Sequence, residues 1–382
     1  MKLRKVLTAV LAITMGLSLV ACSPSSSESS PSAAPTENSA DAPAEDTTAN
    51  VDADAAANDG DIFNIANYKT DKPESEWTIA VVTKDNTAAW FQRMEQGIEE
   101  FKEATGINVI QKGPATPDAA SQVQVIDDLI NQGVDALCVV PIDPGALEAS
   151  LENAMNQGIV VVTHESSPQV NTLFDVEAFT AEDFGAALMD SLAAEMNKQG
   201  KYGIMVAFTT TATHMGYGTA AMEHQVATYP DMELIGGTVP TAESEESIDT
   251  AYERAKEILK ANPDLGGFIG CASTDGPGIA KAVEEMGLNG QVKIVTVATP
   301  NEARNMVEAG TISRLKLWDP KDAGYAMCSL AKMILNGENV GEGSNLGVAG
   351  YESVTLVEGT NRTLVGKADI EMTKENIANY DF

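Results

Sequence analysis

From residue 77 onward the chain alternates two patterns without a break. Short runs of β-branched and aliphatic residues are followed by longer segments whose apolar residues recur every three or four positions. Residues 78–83 form the first run, and Phe91, Met94, Ile98 and Phe101 then repeat at helical spacing. A run at 107–110 precedes a helix marked by Val125, Ile126, Leu129 and Ile130. A run at 135–141 precedes a helix marked by Leu147, Leu151 and Met155, and a further run covers 159–163. Both of these helices end in Asn-Gln-Gly, at Gly133 and Gly158, which predicts left-handed glycine caps. The rhythm resumes with helices at 179–198, 216–228 and 244–261 and strands at 202–208, 233–239 and 266–271. A helix carrying Ile279, Ala282, Val283 and Met286 follows. Strand 292–297, helix 301–309, strand 312–318 and helix 321–335 complete it.

The strand-like runs are apolar almost throughout rather than at alternate positions. That is the signature of parallel strands covered by helices on both faces. So many units exceed one ordinary sheet, so the predicted fold class is α/β, with two doubly wound parallel-sheet lobes. Hydrophobic residues make up 43% of the 382, enough for cores in both.

The first segment reads differently. Lys2, Arg4 and Lys5 precede an apolar stretch at 6–20, shorter than the roughly 20 residues of a membrane span. It ends in Leu19-Val20-Ala21-Cys22, which resembles a bacterial lipobox. The expectation is a lipoprotein signal peptide at 1–21, with Cys22 lipidated and the protein anchored outside the cytoplasmic membrane. Residues 22–74 are Ser, Pro, Ala, Thr, Asp and Glu with few large apolar groups, and are expected to form a disordered acidic linker. The formal net charge of −32, with no offsetting basic cluster, excludes nucleic acid and anionic lipid as partners.

Catalytic and metal signatures are lacking. There is no phosphate-binding glycine loop, no G-x-G-x-x-G after the first strand and no G-x-S-x-G elbow. Cys138, Cys271 and Cys328 have no metal-ligand spacing; Cys138 and Cys328 read as small core residues, with a disulfide left open. The three histidines are His164, His214 and His224, and His164-Glu165 alone does not argue for metal. Glu165 with Asp275 is the one arrangement reminiscent of a glycosidase's carboxyl pair. The expectation is therefore a non-enzyme without cofactor or metal.

In sheets of this kind ligands bind beyond the carboxyl ends of the strands. Those ends carry Lys84, Asp85, Asn86, Trp90 and Phe91; Asp143; His164 and Glu165; His214 and Met215; Ser273 and Asp275; and Trp318 and Asp319. Each has a plain structural explanation, since Asp143 and Ser273 suit helix N-caps and Phe91 suits a helix core. Together they offer ring faces, carboxylates, a lysine, amides and hydroxyls at one edge of two sheets. Carbohydrate recognition uses this mixture: rings for the C–H face of a sugar, fixed donors and acceptors for its hydroxyls. Trp90 and Phe91 are the candidate stacking groups, and Lys84 and Asn86 the candidate hydroxyl ligands.

The stretches "GPATPDAASQVQVIDDLINQGVDALCV", "LKLWDP" and "TKENIANYDF" resemble the type I periplasmic sugar-binding proteins of ABC transporters, closest to their rhamnose-binding and autoinducer-2-binding branch. The resemblance runs from about residue 77 to the C-terminus. It implies two lobes joined by three crossings near 176, 317 and 341, dividing the body into 75–176 with 317–341 and 177–316 with 342–382. It implies a monomer that closes on one small sugar or polyol and docks on a permease. By the same likeness, Lys84 matches a ligand-contacting lysine, Glu165 a ligand-contacting aspartate, and Trp90 and Phe91 the sugar-stacking aromatics. Asp275 matches a sugar-binding aspartate, and Trp318 and Asp319 fall near a crossing as contacts or hinge groups. At His214-Met215 and Cys271-Ala272-Ser273 the sequence departs from the autoinducer-2 pattern. An autoinducer-2-binding protein and a ligand sensor for a receptor kinase stand as the alternatives.

Overall fold

The computed structural model describes residues 61–360 and 362–382. Cys22, and the leader and linker predicted before residue 61, lie outside them. Short 3-10 turns at Ile65–Tyr68 and Glu74–Glu76 lead into β1 (Thr78–Val82). Then come α1 (Ala89–Thr105), β2 (Asn108–Lys112), α2 (Ala119–Gln132), β3 (Ala136–Val139), α3 (Pro144–Asn156), β4 (Val160–Thr163) and β5 (Phe174–Glu177). Continuing, α4 (Ala181–Glu195), β6 (Gly200–Val206), α5 (Ala212–Thr228), β7 (Met232–Leu234), β8 (Ala242–Glu243), α6 (Ile248–Ala261), β9 (Leu265–Gly270), α7 (Asp275–Glu285), β10 (Lys293–Thr296), α8 (Pro300–Ala309) and β11 (Arg314–Leu317) build the second half. The chain ends with α9 (Pro320–Leu335), β12 (Thr355–Leu356), β13 (Thr363–Val365) and β14 (Ile370–Met372).

Two sheets result. The first runs β12-β13-β5-β4-β3-β1-β2 and the second β14-β11-β10-β9-β6-β7, with β8 added beside the end of β6. The central strands are parallel, and antiparallel pairs occur where β12 meets β13 and β14 meets β11. Strands such as Thr78–Val82, Ala136–Val139 and Val160–Thr163 are buried on both faces, which is why their apolar runs are continuous. Gly133 and Gly158 have φ of 72° and 78°, as the Asn-Gln-Gly endings predict.

The chain passes between sheets three times: from β5 into α4, from β11 into α9, and from β13 into β14. The third passage departs from the sequence expectation. It lies between Val365 and Ile370, not near 341, because β12 and β13 remain on the first sheet, where β13 pairs with β5. Residues 342–365 therefore do not open the second lobe. The linker expectation also shortens: Tyr68 is buried with its hydroxyl donating to the Ile62 carbonyl, and Lys72 pairs with Asp135 at 2.8 Å. Residues 61–74 are packed against the first lobe.

Two glycines bring α1 and α9 into close contact. A methyl group at Gly97 would fall 1.9 Å from the Lys321 carbonyl oxygen, and one at Gly324 would fall 2.9 Å from that of Met94. This pairing matters for the site, because α1 opens with Trp90 and Phe91 while α9 follows directly after Trp318.

Candidate ligand-binding cleft

The carboxyl ends of the two sheets face each other across a nearly closed cleft that leaves about 20 Å³ of solvent-accessible space. Lys84 after β1, Trp90 and Phe91 on α1 and Glu165 after β4 form its first-lobe wall. His214 on α5, Glu246 after β8, Cys271 and Ser273 after β9 and Val297 after β10 form the second, and Trp318 closes the cleft at the second passage.

The loop after β1 is built by short polar side chains. Asp85 Oδ1 accepts the backbone N–H groups of Thr87 and Ala88, each at 2.7 Å, and so shapes the entry to α1. Buried Gln122 ties this loop to the one after β3: its amide donates to the carbonyls of Thr83 and Val140, and its oxygen accepts the N–H of Ile142. Lys84 is thereby held over the cleft with its side chain 3% exposed.

Its partner is Glu165. Lys84 Nζ donates to Glu165 Oε2 at 2.6 Å, and Glu246 Oε1 stands 3.7 Å away on the far lobe. Burial disfavours the lysine's charge, but the two carboxylates more than offset this and hold its pKa above the usual value. Burial likewise opposes ionisation of Glu165, yet Lys84, with His164 and His214, brings its carboxyl down to about 2. Glu246 fares differently. Burial, opposed by Lys84, pushes it up to about 7. Glu165 (φ 57°) and Glu246 (φ 53°) both adopt left-handed backbone conformations that are uncommon outside glycine. Strained backbone of this kind persists where surrounding structure over-determines it, and here it aims two carboxylates at one ammonium.

The rings form a second layer. Trp90 meets Trp318 edge to face, with centroids 4.8 Å apart and planes at 80°. Trp318 also packs edge-on against Phe179 at 5.3 Å. His164, fully buried behind Glu165, places Nδ1 2.5 Å from the Val176 carbonyl and accepts the Trp318 indole N–H at Nε2 at 3.2 Å. A carbonyl only accepts and an indole N–H only donates, so this histidine carries its proton on Nδ1. His214 is 5% exposed, and its Nδ1 has no hydrogen-bond partner in the structure. Burial drives its pKa down to about 3, so it is neutral near pH 7.

Of the residues singled out from sequence, Lys84, Trp90, Phe91, Glu165, His214 and Trp318 lie together on the cleft wall. Four others do not. Asn86 is exposed, its N–H donating to the Pro114 carbonyl. Asp143 caps α3 through the N–H of Ala146. Asp319 caps α9 and grips Arg93 of α1 through both oxygens, at 2.9 and 2.6 Å. Asp275 is buried beneath the second-lobe wall, accepting the N–H groups of Cys271 and Ala272, and burial pushes it up to about 6. All four follow strand ends, but the three aspartates give one oxygen each to the adjoining turn or helix. Ser273, expected as an N-cap, faces the cleft instead, as does Cys271. Glu246 is absent from the sequence reading, which places residues 244–261 in one helix. The helix begins only at Ile248, after Ser247 as its cap, and two-residue β8 makes Glu246 a strand-end residue. Cys138, Cys271 and Cys328 are free thiols, all buried. No group of His, Cys, Asp and Glu suited to a metal ion occurs among the described residues.

Residues 79–339 match the periplasmic binding protein domain family. The D-allose-binding periplasmic protein of Escherichia coli is 26% identical over 250 residues, covering 64% of this chain and 80% of its own. The ribose import binding protein of Bacillus subtilis is 24% identical over 271 residues, covering 70% and 84%. In fold, the chain resembles LsrB of Clostridium saccharobutylicum in complex with AI-2, with a TM-score of 0.72 at 24% identity, over 80% of this chain and 100% of that one. It resembles equally a solute-binding protein of Clostridium phytofermentas with bound L-rhamnose, with a TM-score of 0.72 at 21% identity, over 80% and 98%. With its two parallel-sheet lobes and three passages between them, the chain belongs to the periplasmic binding protein domain family and has the type I architecture.

Proposed function

We propose that the protein is an extracytoplasmic binding component of an ABC transporter that captures one small sugar or polyol between its lobes and presents it to a membrane permease. The observation that carries this reading is the cleft wall itself. Rings from Trp90, Phe91 and Trp318 stand beside the buried Lys84–Glu165 pair, and both lobes contribute. Ring faces suit the C–H surface of a pyranose or furanose. With one Lys84 N–H given to Glu165, the ammonium and carboxylate leave two donors and several acceptor lone pairs for its hydroxyls. Relatives named for allose, ribose and xylitol support the ligand class.

Closure belongs to the same reading. Glu246 and His214 of the second lobe stand 3.7 and 4.0 Å from Lys84 and Glu165 of the first. A ligand touching both walls favours the closed form by the difference between its contacts in the two forms. Micromolar affinity corresponds to about −8 kcal/mol, within reach of a few such contacts after ordering costs. Lipidation at Cys22 would tether the body to the membrane; mass spectrometry of the mature N-terminus tests that part separately.

Thermal unfolding with a panel of D-allose, D-ribose, L-rhamnose, xylitol and autoinducer-2 tests the ligand class, since a ligand bound only by the native state raises the midpoint. A rise of several degrees with a sugar or polyol supports the reading. A rise with autoinducer-2 alone favours the alternative receptor, and no rise with these or with any further neutral or charged carbohydrate refutes the assignment.

A further inference from the structure

The cleft carries an imbalance of charge that a neutral sugar does not correct. Among the described residues, Lys84 is the one lysine or arginine on its wall, and that lysine is already engaged by Glu165 at 2.6 Å. Glu246, with its side chain 11% exposed, makes no hydrogen bond in the structure and stands 3.7 Å from the same ammonium. Its other charged neighbours are acidic: Asp275 beneath the wall, Glu165 opposite and Asp85 in the loop after β1. Asp85 is fixed by the N–H groups it accepts from Thr87 and Ala88, and Asp275 by those from Cys271 and Ala272, so neither turns away to relieve the crowding. Neutral His214 supplies no counter-charge, and its unpartnered Nδ1 lies on the same wall.

Burial without a hydrogen bond or dedicated cation pushes Glu246 toward its protonated form, and a cation seated beside it would restore its charge, since buried carboxylates are ordinarily paired. Here the pairing group is missing from the protein side of a cleft that otherwise suits a polyhydroxylated ring. We infer that the preferred ligand is a polyhydroxylated ring bearing an ammonium group, an amino sugar or cyclic amino polyol, with that ammonium seated against Glu246. The inference rests on the sugar-binding reading above and specifies its substrate class. Glu165 and Lys84 then serve the hydroxyls, the rings of Trp90 and Phe91 the C–H face, and Glu246 selects for charge. The net charge of −32 over the whole chain adds a field that concentrates cations and disfavours acidic ligands.

The test is calorimetric titration of the purified protein with matched neutral, amino and acidic ligands. The gluco, galacto and manno series of hexoses and hexosamines are compared with glucuronate and galacturonate, alongside deoxynojirimycin, D-allose, D-ribose, L-rhamnose and xylitol. The expected result is an amino ligand as the tightest binder, at least tenfold tighter than its neutral counterpart, with the uronates weakest. In Glu246→Gln that amino-to-neutral ratio falls at least tenfold. A neutral ligand that binds more tightly than every amino ligand overturns the inference and leaves the sugar-binding reading standing, as does a ratio unchanged in Glu246→Gln. Failure of every carbohydrate, whatever its charge, overturns both. If Glu246→Gln does not fold, the order of affinities in the unaltered protein still decides.

Discussion

The indole N–H of Trp318 donates to Nε2 of His164 at 3.2 Å, and this one bond joins the second passage between lobes to the loop that carries Glu165. The other ring nitrogen of His164 donates to the carbonyl of Val176, on the strand that leads into the first passage. One buried imidazole thus fastens two passages to the cleft wall. Replacing it by alanine strands an indole N–H and a carbonyl in the interior, each worth about 1–3 kcal/mol when left unsatisfied. His164→Ala is expected to lose about 3 kcal/mol in urea unfolding. A loss below about 1 kcal/mol would show that these bonds do not hold the passages together.

Lys84 and Glu165 make a buried pair, each side chain 3% exposed. Removing one member of such a pair leaves an uncompensated charge and costs about 3–5 kcal/mol, whereas replacing both is often close to neutral. Lys84→Met should therefore destabilise strongly, and Lys84→Met with Glu165→Gln should recover most of the loss, as read in denaturant unfolding. Both versions should lose ligand binding, because the recovered stability does not restore the donors. A double variant no more stable than the single would contradict this.

Glu246 on the second-lobe wall and Asp275 beneath it predict a pH dependence of opposite sign to that of Glu165. Glu246 is raised from its ordinary 4.5 to about 7 and Asp275 from 3.8 to about 6, both chiefly by burial. Their folded forms hold protons that the unfolded chain has released, so stability contributed by these groups is full below about pH 4 and is lost as pH rises toward 7. Glu165, lowered to about 2, contributes stability above its ordinary 4.5 that is lost only as pH falls toward 2. The unliganded protein should thus show a falling component between about pH 4 and 7, made shallower in Glu246→Gln. An identical slope in that variant would refute the assignment of Glu246.

Gly97 is where α1 and α9 touch most closely. An added methyl at 1.9 Å from the Lys321 carbonyl has no flexible neighbour to displace, so the helices must part. Gly97→Ala should cost about 1–3 kcal/mol of stability, as overpacking does. It should also weaken ligand binding, because Trp90 is carried by α1 and Trp318 lies two residues before α9. Unchanged stability would mean that the pair yields more readily than its geometry suggests.

The alternating architecture was legible because parallel strands buried on both faces write their burial into unbroken apolar runs, as at Thr78–Val82 and Val160–Thr163. Strand β5 escaped because Phe-Asp-Val-Glu carries two acids into the interior, where Asp175 and Glu177 are both buried. Strands β8 and β12 escaped because two residues carry no period, and losing β12 and β13 misplaced the third passage. The same physics divides the site. Lys84, Trp90, Glu165 and Trp318 stand out because a strand end delivers unusual chemistry to one edge. Asp143, Asp275 and Asp319 occupy equivalent strand-end positions, yet local backbone N–H groups claim one oxygen of each. Sequence spacing alone does not separate a capping aspartate from a ligand-binding one.

The account turns on whether a ligand enters this particular cleft. Two of the three tryptophans, Trp90 and Trp318, lie on its wall, while Trp77 is buried elsewhere in the first-lobe core. The most direct measurement is tryptophan fluorescence during titration with the ligand that most raises the unfolding midpoint. The account predicts a saturable change that persists in Trp77→Phe, shrinks in Trp90→Phe, and requires at least tenfold more ligand in Glu165→Gln. Equal affinity and amplitude in all three would place the ligand elsewhere and contradict it.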